Sequence, residues 1–314
     1  MKKSFRSTLI DAITSNAEKY PDMVVLNADS ARALKLTDFS ASYPDRMYGV
    51  GISEADLVST AAGMATTGLI PVVVGFSMFV SEKPFEQIRQ AIAYPNLNVK
   101  IIATHSGLCV GQDGATHQAL EDIAVMRTLP NFKVFVAADV TETKAAVNAM
   151  LEYDGPAYLR LGRDLAEDIF SGEKSCVPGG ADLLRDGSDV TIAACGLMVE
   201  QALIAAGILE AEGINASVLN MYSIKPLPED LLYEQASKTK AFVTAEDHQI
   251  IGGLGSAVCE FLSENYPVPV KRIGVRDCFG ESGTQDDLYE KYGLTASDIA
   301  KAARNVISMK KGQV

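Results

Sequence analysis

The most informative segment of the chain is residues 104–118, Thr104-His105-Ser106-Gly107-Leu108-Cys109-Val110-Gly111-Gln112-Asp113-Gly114-Ala115-Thr116-His117-Gln118. It holds two of the three histidines of the chain, one aspartate and three glycines. The apolar run before it, residues 99–103, predicts a buried strand, and the pattern after it predicts a helix with Thr116 as N-cap. Open α/β sheets bind ligands in loops that follow their strands. The segment therefore predicts a site in such a loop, although a polar surface loop with incidental histidines has the same composition.

The first half of the chain alternates between strand-like and helix-like patterns. The predicted strands cover residues 23–27, 47–50, 69–74, 99–103, 133–136 and 157–161. The predicted helices cover residues 5–19, 54–66, 86–93, 118–128 and 141–151. Strands that alternate with helices are typical of a parallel, doubly wound sheet.

A second alternating unit follows a glycine-containing linker at residues 171–180. Its predicted strands cover residues 190–194, 216–220, 241–245 and 270–274. Its predicted helices cover residues 198–212, 229–236, 254–263 and 296–306. We therefore predict an α/β protein of two doubly wound domains with mainly parallel sheets, at residues 1–172 and 181–314.

The composition argues against several classes of protein. The net charge of −12, without any Lys/Arg-rich run, disfavours nucleic acid or an anionic membrane as the main partner. The five cysteines are scattered, without metal-ligand spacing, so we expect no metal ligands on this chain. Because residues 1–6 do not lead into the apolar core of a signal peptide, we expect a cytoplasmic protein.

One charge-free stretch, residues 57–81, is long enough to cross a membrane. It also contains serine, threonine, glycine and proline residues. We therefore predict that it forms a buried helix, a turn and a buried strand, and we expect no membrane partner.

A set of short motifs occurs in a fixed order along the chain. The motifs are Gly49-Val50-Gly51-Ile52-Ser53-Glu54-Ala55, Gly75-Phe76-Ser77-Met78-Phe79, Thr104-His105, Gly111-Gln112-Asp113-Gly114-Ala115-Thr116-His117-Gln118, Lys225-Pro226-Leu227, Ala245-Glu246-Asp247-His248, Gly252-Gly253-Leu254-Gly255-Ser256-Ala257 and Gly283-Thr284-Gln285. Together they resemble the C-terminal half of transketolase over nearly the whole chain. The likeness is greatest to the C-terminal subunit of a split transketolase, in which two polypeptides replace one.

The resemblance implies a pyrimidine-binding domain followed by the transketolase C-terminal domain. The family's Gly-Asp-Gly…Asn motif, which binds diphosphate and magnesium, does not occur in this sequence. The resemblance therefore implies thiamine diphosphate shared with a separate N-terminal-half subunit that carries the Mg²⁺ ligands, and a self-dimer that assembles into a heterotetramer. Because the C-terminal domain mainly supports assembly in the family, we interpret His248 as structural.

Glu54 matches the family glutamate that hydrogen-bonds the pyrimidine ring nitrogen, which implies a catalytic and cofactor-binding role. A carboxyl group in an apolar pocket favours its protonated form and can share that proton with a ring nitrogen. The charge-free stretch at residues 57–81 favours such a pocket. As the first residue of a predicted helix, Glu54 also complements the helix dipole.

Three aromatic residues and one aspartate match other cofactor contacts. Phe76 and Phe79 match rings that pack on the aminopyrimidine, where offset stacking fixes its plane. Phe85 extends this wall if the local match is shifted by one residue. Asp29 matches an aspartate beside the thiazolium ring at the subunit contact. Without the resemblance, the phenylalanines are equally compatible with an ordinary core.

Five polar residues match groups that bind or convert the substrate. His117 corresponds to a histidine near the reacting carbonyl group, where it moves protons, and His105 to one that lies toward the sugar phosphate. Asp113 corresponds to the aspartate that hydrogen-bonds a substrate hydroxyl. Arg6 and Arg163 correspond to phosphate-binding arginines, whose guanidinium groups suit bidentate contacts. Without the resemblance, both arginines are equally compatible with surface charges.

The resemblance implies the transfer of a two-carbon ketol unit from a ketose phosphate to an aldose or aldose phosphate, as in pentose phosphate metabolism. Deoxyxylulose-phosphate synthase shares the Asp-Gly-x-Thr-His-Gln and Gly-Thr-Gln segments, and β subunits of 2-oxo acid dehydrogenases share the two-domain plan. A non-catalytic partner subunit is a third alternative, against which the retained Glu54, His105 and His117 argue. Ser106 and Gln112 replace acidic residues common in the family, so the sugar pair stays open.

Overall fold

The computed structural model describes residues 3–163 and 165–311. Its strands are β1 (Lys3–Ser4), β2 (Met23–Asn27), β3 (Met47–Gly49), β4 (Ile70–Phe76), β5 (Lys100–Thr104), β6 (Lys133–Val136), β7 (Ala157–Arg160), β8 (Leu165–Ala166), β9 (Asp182–Arg185), β10 (Val190–Ala194), β11 (Ala216–Asn220), β12 (Ser223–Lys225), β13 (Phe242–Gln249) and β14 (Val270–Val275). The outer ends of the two predicted domains, residues 1–2 and 312–314, lie outside the described residues, and the domain bounds stay a prediction.

Helices alternate with these strands along the chain. The α-helices are α1 (Phe5–Asn16), α2 (Thr37–Ser42), α3 (Glu54–Ala65), α4 (Phe85–Gln87), α5 (Asp122–Thr128), α6 (Val140–Glu152), α7 (Met198–Glu210), α8 (Glu229–Thr239), α9 (Leu254–Asn265), α10 (Gln285–Tyr292) and α11 (Ala296–Lys311). Tighter 3₁₀ turns occur at Pro44–Arg46 and Leu108–Asp113, and wider π-helical turns occur at Met78–Glu82 and Ile88–Ala93. No helix in the described part of the chain is long and apolar enough to span a bilayer.

Two large sheets organise the molecule, and both are mainly parallel. The first has the order β12-β6-β7-β5-β4-β2-β3 and is parallel except for the β12–β6 pair. The second has the order β14-β13-β10-β11-β9 and is parallel except for the β11–β9 pair. Strands β2, β5 and β10 are buried along their whole length, as expected when helices cover both faces of a parallel sheet. The predicted α/β fold with mainly parallel sheets is confirmed.

The two halves of the chain share structure across the linker. Strand β12 follows the second half's strand β11 in sequence, yet it pairs with β6 at the edge of the first sheet. One apolar cluster contains Val136 from the first half together with Met221, Phe242 and Leu254 from the second. Burial of this common surface stabilises both halves together.

Three predicted elements differ from the structure. The helix predicted at residues 118–128 begins only at Asp122, and the prediction of Thr116 as its N-cap is wrong. The Thr116 hydroxyl instead contacts His117 Nδ1 at 2.9 Å. The helix predicted at residues 86–93 is short α4 followed by a π-helical turn. The strand predicted at residues 241–245 continues through buried charged residues to the end of β13.

The delayed start of α5 has a backbone cause. Ala119 forms an isolated parallel bridge with Ser106, and the Leu120 carbonyl oxygen accepts a hydrogen bond from the Gln249 backbone N–H at 2.8 Å, so both residues bond to partners outside a helix. The chain therefore continues as a loop as far as Glu121. We call residues 105–121 the histidine loop.

A buried histidine connects the second sheet to α5. His248 lies in β13 with its side chain fully buried, and its Nε2 accepts a hydrogen bond from the Ala124 backbone N–H at 3.3 Å. Burial, reinforced by the positive charge of Arg160, lowers the pKa of His248 to about 4. His248 is therefore a neutral structural contact at neutral pH.

This burial predicts a pH dependence of stability. Between pH 6.5, the ordinary pKa of histidine, and pH 4 the unfolded chain binds a proton at residue 248 that the folded chain excludes. His248 therefore contributes a loss of unfolding free energy of up to about 1.4 kcal/mol per pH unit as the pH falls through this range. In His248→Gln we expect this part of the loss to disappear, measured by urea unfolding at pH 7, 6 and 5. His117→Gln is the control, and equal slopes in wild type and His248→Gln would contradict the prediction.

Candidate active site

A cavity of about 310 Å³ opens at the carboxyl ends of β2 and β4, beside the first turn of α3. Its lining residues are Ala28, Asp29, Ser30, Ala33, Ile52, Glu54, Gly75, Phe76, Phe79, Val80 and Lys83. Four predicted site residues, Asp29, Glu54, Phe76 and Phe79, therefore face one space. The position at the carboxyl edge of a parallel sheet is the usual place for a ligand in this fold class.

Glu54 is the buried acid of the cavity. It begins α3, where a carboxylate complements the helix dipole, and only 5% of the residue is exposed. Its Oε2 accepts a hydrogen bond from Lys83 Nζ, and the two groups form an ion pair. The lysine side chain is 54% exposed, so one partner of the pair is buried and the other reaches solvent.

Lys83 was missed by the sequence analysis. The charge-free stretch at residues 57–81 predicted a cavity without nearby charge, which is wrong because Lys83 lines it. The π-helical turn Met78–Glu82 places this lysine, since the Lys83 backbone N–H bonds to the carbonyl of Met78. A lysine four residues after Phe79 was the only local signal.

Aromatic and imidazole rings form one wall of the site. The rings of Phe76 and Phe79 lie 6.1 Å apart with an interplanar angle of 23°. His105 stacks on Phe76 with a centroid distance of 4.0 Å, and His117 meets Phe79 edge-on at 5.2 Å. The histidine loop thus lies against the phenylalanines of the cavity, and each of the two predicted histidines contacts one of these rings.

His105 is held in a demanding conformation. Its φ is +55°, a backbone region that residues other than glycine rarely adopt. Its Nδ1 contacts the Thr104 hydroxyl at 2.9 Å. Burial, and then the charges of Arg6, Arg163 and His117, lower the pKa of His105 to about 3. The imidazole is therefore neutral at neutral pH and acts as a hydrogen-bonding group and not as a cation.

Positive charge gathers beside this neutral histidine. Arg6 and Arg163 both act on His105 electrostatically, and Arg6 also donates to the Ala33 carbonyl oxygen at 3.2 Å at the cavity wall. Arg163 forms an ion pair with Asp113 at 3.1 Å, with both side chains partly exposed. Guanidinium groups in such a place suit a phosphate or another anion.

Of two further residues predicted to bind the cofactor, Asp29 and Phe85, only Asp29 lines the cavity. Asp29 is exposed at the cavity rim, with φ of +59° in the turn after β2. Phe85 is half-buried against the hydrophobic core and is not among the residues that line the cavity. Its part in the aromatic wall stays a prediction.

A buried polar cluster lies behind the aromatic wall, and the sequence analysis did not find it. The Asp122 carboxylate accepts hydrogen bonds from Ser77 Oγ at 2.9 Å, Tyr158 OH at 2.7 Å and Arg160 Nε at 2.9 Å. Ser77 lies between Phe76 and Phe79 in the chain, so the cluster supports that wall. An arginine at the end of the otherwise apolar strand β7 was the available signal.

The described residues contain no group of three or more histidine, cysteine, aspartate or glutamate side chains placed to hold a metal ion. The chemistry that the arrangement does support is the binding of a flat, partly apolar ring beside Glu54, next to an anion near the arginines. The histidines lie between these two places.

Comparison with known proteins gives matches to both halves of the chain. Residues 1–168 match the model of the transketolase pyrimidine binding domain, and residues 179–299 match that of the transketolase C-terminal domain. The 6-deoxy-6-sulfo-D-fructose transketolase subunit SqwH of Clostridium sp. (strain MSTE9) is 43% identical over 305 residues, which are 97% of this chain and 95% of that protein.

Two further proteins show how this chain relates to whole enzymes. The 1-deoxy-D-xylulose-5-phosphate synthase of Syntrophotalea carbinolica (strain DSM 2380 / NBRC 103641 / GraBd1) is 36% identical over 98% of this chain, which spans 49% of that enzyme. A solved structure described as a split gene transketolase, inactive beta4 tetramer, has a TM-score of 0.92 and 48% identity, covering 98% of this chain and 99% of its own. Because family models match both halves and relatives match nearly the whole length, the chain belongs to the transketolase family.

Proposed function

We propose that this chain is the C-terminal subunit of a thiamine diphosphate-dependent transketolase, which moves a two-carbon ketol unit from a ketose phosphate to an aldose or aldose phosphate. The observation that supports this most is the apolar cavity with one buried carboxylate, Glu54, beside the neutral His105 and the pair Arg6 and Arg163. One space suits a cofactor ring and the neighbouring one suits a phosphorylated sugar.

The cavity residues fit an aminopyrimidine ring. Phe76 and Phe79 offer faces for stacking, and Glu54 offers the single buried carboxylate of the lining. Thiamine diphosphate, when bound, supplies the electron sink for breaking a carbon–carbon bond next to a carbonyl group. The work left to this chain is to orient the ring, exchange a proton at Glu54 and exclude water.

Lys83 sets a condition on this role of Glu54. Its ammonium group donates to Glu54 Oε2 and so competes with a ring nitrogen for the carboxylate. Because the lysine side chain is 54% exposed, it can turn toward solvent when a ligand enters. In our proposal, cofactor binding exchanges one partner of Glu54 for another.

The substrate end combines neutral and charged groups. His105 and His117 lie against the aromatic wall, where they hydrogen-bond the reacting atoms and move protons. Arg163 and Arg6 bind the phosphate, and Asp113 exchanges its bond with Arg163 for one with a substrate hydroxyl. These roles are the ones that the resemblance to transketolase implies for the five residues.

We further propose that activity requires a separate N-terminal-half subunit, which supplies the diphosphate and Mg²⁺ contacts. The match over essentially the full length of a split-gene transketolase chain, described as an inactive beta4 tetramer, supports this requirement. The expected assembly is a self-dimer that binds two partner chains in a heterotetramer in the cytoplasm.

A synthase-type reaction is the second candidate. The 36% identity to a 1-deoxy-D-xylulose-5-phosphate synthase over 98% of this chain favours it. That enzyme class has the same cofactor, so the donor decides between the two reactions. A 2-oxo acid dehydrogenase-like reaction would also use a 2-oxo acid as donor.

The decisive assay mixes the chain with a candidate N-terminal-half subunit, thiamine diphosphate and Mg²⁺. We expect ketol transfer to ribose 5-phosphate, tested with one ketose phosphate donor, xylulose 5-phosphate, and one ketose sulfonate donor, 6-deoxy-6-sulfo-D-fructose. We expect no transfer by the chain alone. Release of carbon dioxide from pyruvate without ketol transfer would establish the synthase or dehydrogenase alternative, and inactivity with every donor would indicate a non-catalytic subunit.

Glu54 gives the sharpest test of the cofactor role. In Glu54→Gln we expect kcat of the assembled enzyme to fall at least about a hundredfold, because an amide cannot exchange the proton that general acid–base catalysis requires. Asp56→Asn is the matched control, since Asp56 is exposed in the same first turn of α3. A Glu54→Gln enzyme that retains the wild-type rate would rule out this assignment.

The Glu54–Lys83 pair predicts a gain in cofactor affinity on substitution. In Lys83→Met the competing ammonium group is absent, and we expect the thiamine diphosphate concentration for half-saturation to fall roughly two- to fivefold, the scale of a half-exposed ion pair. Titration of cofactor into the assembled subunits measures this, with exposed Lys301→Met as control. Weaker cofactor binding by Lys83→Met would instead mean that Lys83 contacts the cofactor.

A further inference from the structure

The carboxylate of Asp247, in the second half of the chain, binds the backbone of the histidine loop. Asp247 lies in β13 and is 4% exposed. Its Oδ1 accepts a hydrogen bond from the Leu108 backbone N–H at 2.8 Å, and its Oδ2 accepts one from the Cys109 backbone N–H at 3.2 Å. Tyr289 OH donates to the same Oδ2 at 3.0 Å. A buried anion that accepts three hydrogen bonds fixes the start of the loop.

The loop side of this contact is built for close approach. Gly107 has a φ of +75°, and a Cβ atom at this position would lie 2.4 Å from Asp247 Oδ2. Only glycine therefore lets the backbone bring its N–H groups onto the carboxylate. The contact therefore requires an acceptor side chain at residue 247 in β13 and glycine at residue 107 in the loop.

A second route joins the same residue to the aromatic wall. Arg160 Nη2 donates to the Asp247 backbone oxygen at 2.8 Å, while Arg160 Nε donates to Asp122. Asp122 in turn accepts from Ser77, between the two phenylalanines of the cavity. The loop and the wall are therefore fixed relative to one another through β13.

The far end of the loop is also held by the second half. Gln118 Nε2 donates to the Glu281 carbonyl oxygen at 2.9 Å, and the Gln249 backbone N–H donates to the Leu120 carbonyl oxygen at 2.8 Å. These bonds secure residues beyond His117. Asp247 is the side chain that binds the backbone three and four residues after His105.

We propose that Asp247 is a positioning residue, which from the second half of the chain holds Leu108 and Cys109 so that His105 and His117 keep their contacts with the cavity phenylalanines and Asp113 stays beside Arg163. Its effect on turnover rests on the proposed function, whereas its effect on loop order does not. Asp247 contacts the loop backbone and acts only through the residues that the loop carries.

Hydrogen–deuterium exchange of the full chain tests the structural part. In Asp247→Asn we expect the amides of Leu108 and Cys109 to exchange at least about tenfold faster, because one acceptor oxygen becomes a donor group. The matched control is Glu246→Gln, the preceding buried acid, whose carboxylate accepts hydrogen bonds from the Leu254 and Gly255 N–H groups and not from the loop. Unchanged exchange in Asp247→Asn, or equal acceleration in both variants, would overturn the proposal.

Gly107→Ala keeps the test decisive if Asp247→Asn does not fold. It disturbs the same contact from the loop side, and we expect the same faster exchange at Leu108 and Cys109. Wild-type exchange in a folded Gly107→Ala chain would count against the proposal as strongly as it would for Asp247→Asn.

Kinetics of the assembled enzyme test the functional part. We expect Asp247→Asn to lower kcat/KM for ketol transfer roughly ten- to a hundredfold, the cost of misplaced reacting groups, while the affinity for thiamine diphosphate stays at the wild-type value. Glu246→Gln should retain wild-type values for both quantities. Equal losses of cofactor affinity and kcat/KM in Asp247→Asn would overturn the positioning role. If the wild type itself transfers no ketol unit, the proposed function fails and the exchange experiment still decides the loop contact.

Discussion

The buried ion pair between Arg160 and Asp122 is the interaction on which the other features depend. Moving two charges out of water costs several kcal/mol per ion, so such a pair persists only when further hydrogen bonds satisfy both partners. Here Asp122 also accepts from Ser77 and Tyr158, and Arg160 also donates to the carbonyl oxygens of Ala119 and Asp247. Although burial raises the pKa of Asp122, Arg160 and these donors hold it below its usual value. One pair thus joins the aromatic wall, the first sheet, the histidine loop and β13.

The electrostatics of the site follow from this arrangement. The charges of Arg160 and Asp122 compensate each other behind the aromatic wall, so the cavity face of the wall is apolar. The positive charges of Arg6 and Arg163 lie beside His105 at the solvent side. A neutral imidazole between a flat apolar space and a cationic patch can serve a ring on one side and an anion on the other. Among the described residues that line the cavity, Glu54 is paired with one cation, the half-exposed Lys83.

The sequence was sufficient for the elements whose residues interact mainly with near neighbours. Buried strands such as β2 and β10 follow from continuous apolar runs. The order of motifs singled out Glu54, Phe76 and Phe79, which line one cavity, and two histidines, whose rings contact those phenylalanines. The path of the histidine loop could not be read in this way, because distant partners fix it. Local pattern also could not show that a π-helical turn brings Lys83 into a stretch that lacks charge, or that β12 joins the other half's sheet.

The crossing of β12 into the first sheet bears on how the chain is made. During synthesis β6 leaves the ribosome well before Ser223–Lys225, so one edge of the first sheet stays unpaired until those residues emerge. An open strand edge is a template for pairing with other chains. The half that carries the cavity is thus not a finished folding unit when its own last residue has been added. A gene break at the linker would leave that edge open until the separate second half docked, so its pairing would depend on an encounter between two chains.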